Sequence, residues 1–339
     1  MQQMKEPRVT RLVDELMATR MQAEKVRCSV ASELVKRAGL TRRMTTQVIE
    51  TKNLTKKYGE FEAVKNLNLI VPPGSVSGFL GQNGSGKTTT LKMLMGAVRP
   101  SSGSGRVLDF AIDDLAQSVE IRKRVAFVSE DKQLYDYMTV EQIIRFTKSF
   151  FPKWRADLER QFLEEFPLPL DRRIKGLSKG MRTQLALLLG IARGPQMLVL
   201  DEPSEGLDPL GIETLLQMLK RLAAEGMSIF FSSHQIAEVE QIADHIFIID
   251  RGELLVSTTL SHLKSAYRLV RANLQGRGFE TKLAIQGLKS IRPNGNGVSL
   301  LTTHNLEQIV ERLRHLGATD IQVLPATLKE VFLQSLGAR

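Results

Sequence analysis

The chain has 339 residues, a formal net charge of +10 at pH 7, 42% hydrophobic residues and 25% charged ones. That length admits two domains and an appendage, and the balance is that of a globular protein rather than a disordered or fibrous one. No apolar run reaches the ~18–20 residues of a membrane span, and a single cysteine, Cys28, excludes an internal disulfide and suits a reducing cytosol.

Residues 1–43 hold 10 Lys/Arg against 5 Asp/Glu, so they carry +5 of the total. Val9, Leu12, Val13, Leu16 and Met17 recur at helical spacing, as do Val30, Leu34 and Val35, and no apolar core of a secretory signal precedes them. The expectation is a basic helical extension over residues 1–45. Either it touches a membrane surface or partner, or it is a poorly ordered tail; the second is the preferred reading. Basic charge could also attract nucleic acid, but no nucleic-acid motif accompanies it and aromatic content is only 6%.

From Val48 to Tyr58 apolar and polar residues alternate as in an edge strand, and Val64–Val71 reads as a second strand. Pro72-Pro73-Gly74 turns into Val76–Leu80, a short buried strand. The hairpin would bring Tyr58 towards whatever that strand feeds. What it feeds is Gly81-Gln82-Asn83-Gly84-Ser85-Gly86-Lys87-Thr88, which fits G-x-x-x-x-G-K-[ST], with a helical Thr89–Met95 behind it. Strand, glycine loop and helix together mark a phosphate-binding loop. Its backbone N–H groups would curl round an anion at a helix N-terminus. Lys87 would reach the β/γ-phosphates and the Thr88 hydroxyl would hold Mg²⁺.

Beyond it, Pro100–Gly105 reads as a turn, Val107-Leu108 as a short strand and Val125–Val128 as a buried strand ending in Ser129-Glu130. Thr139–Gly176 has helical spacing interrupted by Pro152, Pro167 and Pro169, and reads as a helical insertion. Leu185–Ala192 is helical, Met197–Leu200 is an apolar strand delivering Asp201 and Glu202, and Leu215–Ala224 is helical. Ser228–Ser233 is a buried strand ending at His234, and His245–Asp250 is one more. Short apolar strands alternating with helices predict an α/β fold with a mostly parallel sheet covered on both faces. Carboxylates at the carboxyl edge of such a sheet sit where α/β folds bind ligands. Asp201 would hold Mg²⁺ through water, and Glu202 would orient and deprotonate an attacking water. Phosphoryl transfer asks for little more than charge neutralisation and an in-line nucleophile.

After about residue 262 the character changes. Leu269–Leu274, Leu283–Gln286, Val298–Leu301 and Ile321–Leu324 suggest strands, Leu306–Leu316 and Leu328–Leu336 helices, and Pro293–Gly297 a turn. The expectation is a small α+β module over 263–339.

The motifs GQNGSGKT, LSKGM at Leu177–Met181, MLVLDEP at Met197–Pro203, EGLDP at Glu205–Pro209 and SSH ending at His234 stand in one order. Taken together, they make residues 46–262 resemble the nucleotide-binding subunit of ATP-binding cassette (ABC) transporters. The stretches Phe150–Trp154 and Ala326–Phe332 are similar to those of bacterial exporters of the ABC-2 type, whose membrane subunits are separate chains.

The resemblance implies a P-loop ATPase fold with an antiparallel β subdomain and a helical subdomain over about 137–180. It implies ATP and Mg²⁺ as ligands, and two chains sandwiching two ATP head to tail, as a homodimer or with a sister ATPase. It also implies a membrane permease that the pair drives, most simply for export. It assigns Tyr58 to adenine stacking, and Gly81, Asn83, Gly84, Ser85, Gly86, Lys87, Thr88 and Thr89 to phosphate. Ser178 and Gly180 would cap the γ-phosphate of the opposite subunit's ATP, Gly206-Leu207-Asp208 would cross that interface, Thr88, Glu130 and Asp201 would serve Mg²⁺, and Glu202 and His234 catalysis.

The chain departs from the family pattern in three respects. The signature reads LSKGM where LSGGQ is common, so Lys179 adds a positive charge near the partner's phosphates. Glu130 stands where a glutamine is usual, and Gln184 where an arginine is usual. Two other functions compete: a soluble ABC-type ATPase acting on ribosomes or DNA, which a single phosphate loop and no heptad run disfavour, and a nucleotide switch without turnover.

Overall fold

Residues 47–273, 288–294 and 297–336 are described by the computed structural model; the basic extension and the strand expected over Leu283–Gln286 lie outside them. The first strands form an antiparallel layer: β1 (Ile49–Tyr58), β2 (Phe61–Leu67), β3 (Ile70–Val71), β5 (Ser102–Val107) and β6 (Phe110–Ala111), ordered β2-β1-β5-β6 with β3 also on β1. β1 is therefore not an edge strand, as its alternation suggested. It lies between β2 and β3 on one side and β5 on the other. The reason is the Ser/Gly stretch that reads as a turn: a Cβ on Gly103 would fall 2.1 Å from the Asn53 carbonyl oxygen. Small residues let this backbone approach and pair. The expected single strand 64–71 breaks instead at residues 68–69: β2 ends at Leu67, one residue past Asn66 with its φ of 45°, and β3 begins at Ile70.

The central sheet runs β11-β10-β4-β9-β8-β7. β4 (Val76–Leu80), β7 (Val125–Val128), β8 (Met197–Asp201), β9 (Ser228–Ser233) and β10 (His245–Asp250) are parallel, and β11 (Glu253–Thr259) closes one edge antiparallel to β10. β4, β8 and β9 are buried along their whole length, as expected of parallel strands covered on both faces. Side chains alternate between two cores. Leu80, Leu200 and Phe231 pack with Leu215, Leu219 and Val239, whereas Phe79, Val199, Phe230 and Phe247 pack with Leu91 and Met93. Burying each such side chain is worth about 1.5–3 kcal/mol.

The helices are α1 (Lys87–Leu94), α2 (Leu115–Arg124), α3 (Val140–Lys148), α4 (Ala156–Glu165), α5 (Lys179–Ala192), α6 (Pro209–Ala224), α7 (Ile236–Ile242) and α8 (Leu260–Ala266). The helical insertion is α3, α4 and a 3₁₀ turn at Ile174–Gly176. Thr139 starts α3 with a reciprocal capping box to Gln142, Ser178 caps α5, and Asp208 caps α6 ahead of Pro209.

The last strands, β12 (Arg268–Asn273), β13 (Leu288–Asn294), β14 (Gly297–Thr302) and β15 (Thr319–Pro325), form an antiparallel sheet ordered β13-β14-β12-β15. β13 carries little apolar alternation, which hides it in the sequence. Two helices cover the sheet. α9 (Leu306–His315) packs Ile309 and Leu313 on Val270 and Leu300, making a small separate core. α10 (Leu328–Leu336) places Leu328, Val331 and Phe332, with Leu269 and Leu301, in the same core as α7 and the central sheet.

Candidate active site

The loop 81–86 owes its path to glycine. Gly84 and Gly86 have φ of 79° and 104°, values that strain other residues. A Cβ on Gly86 would sit 2.5 Å from the Ala63 carbonyl oxygen, so β2 lies directly against the loop. Asn83 and Gly84 are exposed at the tip, Ser85 is buried, and Thr88 and Thr89 are half-buried in the first turn of α1. The first N–H groups of any helix lack a carbonyl behind them. Here no side chain caps Gly86, and no acidic residue occupies the first turn. The Ser85 hydroxyl, too, has no hydrogen-bond partner among the described residues. The loop and the first turn of α1 together form a cluster of donors suited to a polyanion.

Lys87 is a buried ammonium that folds back over the loop. Its Nζ donates to the carbonyl oxygens of Gly81 (2.7 Å) and Gln82 (3.3 Å). The same Nζ lies 3.3 Å from Glu202 Oε1, near enough for an ion pair although the two are not aligned for a hydrogen bond. Glu202 follows β8 with φ of 48°. A non-glycine residue held there costs about 1–3 kcal/mol and persists only where surroundings impose it. They impose it as follows. Glu202 N–H donates to Ser232 Oγ (3.0 Å), and Ser232 Oγ donates to Asp201 Oδ1 (2.6 Å). The other Glu202 oxygen, Oε2, lies 2.9 Å from His234 Nδ1 and accepts from the His234 N–H at 3.3 Å. The His234 side chain itself is 46% exposed. Glu202 is thus clamped between Lys87 and His234.

Asp201 is fully buried, and its Oδ2 has no hydrogen-bond partner among the described residues. Such an oxygen is expensive to leave unpaired, and it suits a hard cation. No group of three or more His, Cys, Asp or Glu side chains makes a metal shell among the described residues. Mg²⁺ does not need one, because it keeps water and binds through one or two carboxylates and phosphate oxygens.

Burial, and then the neighbouring carboxylates Glu205, Asp201, Glu202 and Asp131, push the Glu130 carboxyl above its ordinary value. A cation among these acids would relieve that repulsion. Burial likewise lowers Lys132, assisted by Lys179 and opposed by Glu205, Glu130 and Asp201.

The remaining expected residues lie on other elements. Tyr58 ends β1 on an exposed hairpin, paired with Phe61, with Lys56 Nζ 5.0 Å from its ring centroid. The Ser178 hydroxyl accepts from the Met181 N–H (3.2 Å), and a Cβ on Gly180 would meet the Gly206 carbonyl oxygen at 2.5 Å. Thr183 Oγ1 donates to the Glu205 carbonyl oxygen at 2.9 Å. The signature therefore rests against the 205–207 loop.

Sequence reasoning missed Ser232. Register holds the signal: in the parallel pairing of β8 with β9, Asp201 stands opposite Ser232.

A mostly parallel sheet, a glycine loop at a helix N-terminus after β4 and paired carboxylates at the end of β8, one strand removed from it, define a P-loop nucleoside triphosphatase. The ABC transporter family model matches residues 64–205. The bacitracin transport ATP-binding protein BcrA of Bacillus licheniformis is 34% identical over 224 residues, which cover 65% of this chain and 72% of that protein. The daunorubicin/doxorubicin resistance ATP-binding protein DrrA of Streptomyces peucetius is 33% identical, over 65% of this chain and 68% of that one. Similarity to the ABC transporter ATP-binding protein YtrB of Bacillus subtilis, 26% over 297 residues, spans 86% of this chain and 99% of the relative. Among solved structures, an ATP-binding subunit of an ABC transporter superposes with a TM-score of 0.59 at 28% identity, covering 64% of this chain and 92% of that one. A dimeric bacterial ABC transporter cassette gives 0.57 at 25% identity, over 62% and 98%.

The chain belongs to the ABC transporter family, as its ATP-binding and ATP-hydrolysing subunit.

Proposed function

We propose that two copies of this chain, or this chain and a sister ATPase, close head to tail around two ATP and drive a separate membrane permease at the cytoplasmic face, for export. Support for export comes from the relatives named for bacitracin transport and drug resistance. Among the described residues, no helix is long and apolar enough to cross a membrane.

The observation that carries the reading is the clamped Glu202 carboxylate, held between Lys87 and His234 beside the buried Asp201. In the proposed reaction the N–H groups of residues 83–89 and the Lys87 ammonium bind the phosphates. Tyr58 stacks on the adenine. Thr88, Asp201 and Glu130 would hold Mg²⁺, which would supply charge neutralisation for the phosphates. Glu202 accepts the proton of the attacking water, and His234, through Nδ1, fixes which Glu202 oxygen faces it. Ser178 and Gly180 present the N-terminus of α5 to the γ-phosphate on the partner.

Glu202→Gln tests this directly. Hydrolysis should fall by about 10²-fold or more, the worth of a positioned general base, while ATP binding persists. Capture of the tagged variant from detergent-solubilised membranes with MgATP should recover a multi-span membrane protein in stoichiometric amount. Recovery of ribosomal or DNA-associated proteins without one would refute the transport reading.

A further inference from the structure

The His234 ring that holds Glu202 is itself weakly held, because nearly half of its side chain faces solvent. Packing cannot aim such a ring, so its backbone must. The residues on either side supply that constraint. Ser233, the last residue of β9, is fully buried. Its Oγ accepts from the Gln235 N–H at 2.9 Å and donates to Glu238 Oε2 at 2.8 Å, a closer acceptor than the Gln235 carbonyl oxygen at 3.4 Å. Gln235 is the N-cap of α7, yet its own side chain caps nothing. The Ser233 hydroxyl and the Glu238 carboxylate close the helix start instead, with His234 at the apex of the turn they close. Both anchors are seated on β4, the strand that feeds the phosphate loop. Ser233 stands opposite Leu80, and its carbonyl oxygen accepts from the Gly81 N–H at 3.4 Å. Next to Glu238, Val239 bears directly on Gly78, where a Cβ would fall 2.5 Å from Val239 Cγ1. Beyond the other end of α7, Asp244 Oδ2 accepts from the Val76 N–H at 2.9 Å.

Glu238 is a costly residue to place there. It is buried, and its Oε1 has no hydrogen-bond partner among the described residues. An apolar side chain of similar size would fill the space without that cost, but it could not accept the Ser233 proton. We propose that Ser233 and Glu238 are positioning residues for hydrolysis. The Glu238 carboxylate orients the Ser233 hydroxyl, the hydroxyl fixes the 233–235 turn, and the turn sets His234 against Glu202. This role rests on the reading of Glu202 as the general base and adds to it the groups that aim its partner. His234 meets Glu202 Oε2 through both the ring Nδ1, at 2.9 Å, and the backbone N–H, at 3.3 Å, so a turn that relaxes loosens both contacts at once. Ser233 and Glu238 exchange no proton with the reacting groups; they act through geometry, in the way that outer hydrogen bonds keep a catalytic constellation within its productive range.

The test is hydrolysis by the full chain, with kcat and the KM for MgATP measured separately. Ser233→Ala and Glu238→Leu should each lower kcat about tenfold, the scale of one hydrogen bond to a charged group, and should leave KM within about twofold. Ser233→Ala removes a single atom, so it reports even if Glu238→Leu fails to fold. Glu238→Gln keeps an acceptor at the same reach and should restore most of the rate. Ser233→Ala and Glu238→Leu together should cost no more than one alone. In a His234→Ala background neither should lower the residual rate further, whereas a residue that only stabilises the fold would act as before. Selective ¹⁵N labelling of the five histidines gives a readout apart from turnover. The His234 ring resonances, assigned by their loss in His234→Ala, should move in Ser233→Ala and stay in place in Glu238→Gln. An unchanged kcat in Ser233→Ala, or a loss that persists undiminished in the His234→Ala background, overturns the positioning role alone. A Glu202→Gln protein that hydrolyses ATP at the parental rate overturns the general-base reading and the positioning role with it.

Discussion

Glu130 shows what one atom's change can do at the centre of the site. A carboxylate there, instead of an amide, faces Glu205, Asp201, Glu202 and Asp131, which with burial raise its pKa. The folded protein therefore holds this proton more tightly than the unfolded chain does. Ionised Glu130 opposes folding above its folded pKa, and the opposition vanishes as pH falls below the unfolded value near 4.5. Glu130→Gln, neutral at every pH, should raise the thermal midpoint at pH 7 in Mg²⁺-free buffer. The gain is small because the group is mostly exposed, and it should shrink towards pH 4.5. With Mg²⁺ and ATP present the sign reverses, because an anionic oxygen binds a hard cation better than an amide does. The variant should need more Mg²⁺ for half-maximal hydrolysis. An identical Mg²⁺ curve for both proteins would remove Glu130 from the metal site.

At the scale of elements, legibility in the sequence followed the strength of local periodicity. The phosphate-loop strand, the strand ending in Asp201-Glu202 and the strand ending before His234 were all readable because parallel buried strands are continuous apolar runs with polar ends. Strand β5 was not, because Ser102–Gly105 looks like a turn and pairs only because β1 accepts a close backbone. Helix α2 carries three basic residues in its last turn and exposes Leu115 and Val119, so its apolar stripe is faint. The site shows the same division. Motifs revealed the candidate acting groups, while the groups that hold them, such as Ser232 under Asp201 and Glu202, emerge only when register brings distant segments together.

Helix α10 tests this at one element. Gln334 is buried, accepts from Ser290 Oγ at 2.9 Å and donates to Ser299 Oγ at 3.1 Å, pinning the helix to β13 and β14. Leu328, fully buried in the main core, should cost about 2–5 kcal/mol when replaced by alanine. Chemical denaturation would register this as a lower midpoint with an unchanged slope. A cost below about 1 kcal/mol would mean that α10 is a surface attachment.

For the molecule as a whole, the question is whether the residues after 262 form an independent body. Their sheet has a private core on the α9 side, around Val270, Leu300, Ile309 and Leu313. Its other side has none. Leu269, Leu301, Leu328, Val331 and Phe332 belong to the cluster that also contains Leu80, Leu200, Phe231 and Val239. Separating the two would strip apolar surface from both, at about 25 cal/mol for each Å² exposed. Cooperative unfolding should follow, and two reporters can check it. The single tryptophan, Trp154, packs on the main cluster and donates from Nε1 to Glu159 Oε2 at 2.6 Å, so its fluorescence follows the helical subdomain. Hydrogen exchange across β14 (Gly297–Thr302) follows the last sheet. In the Glu202→Gln protein both should lose structure at one midpoint, which is the test of a two-state transition. MgATP should move both upward together. A hundredfold excess over Kd adds about 2.7 kcal/mol to whatever unfolds as a unit with the nucleotide site. If β14 exchanged at a temperature indifferent to ATP while Trp154 shifted, the last sheet would be an autonomous module. If they move as one, nucleotide bound at residues 81–88 is felt through the α10 face by the far end of the chain.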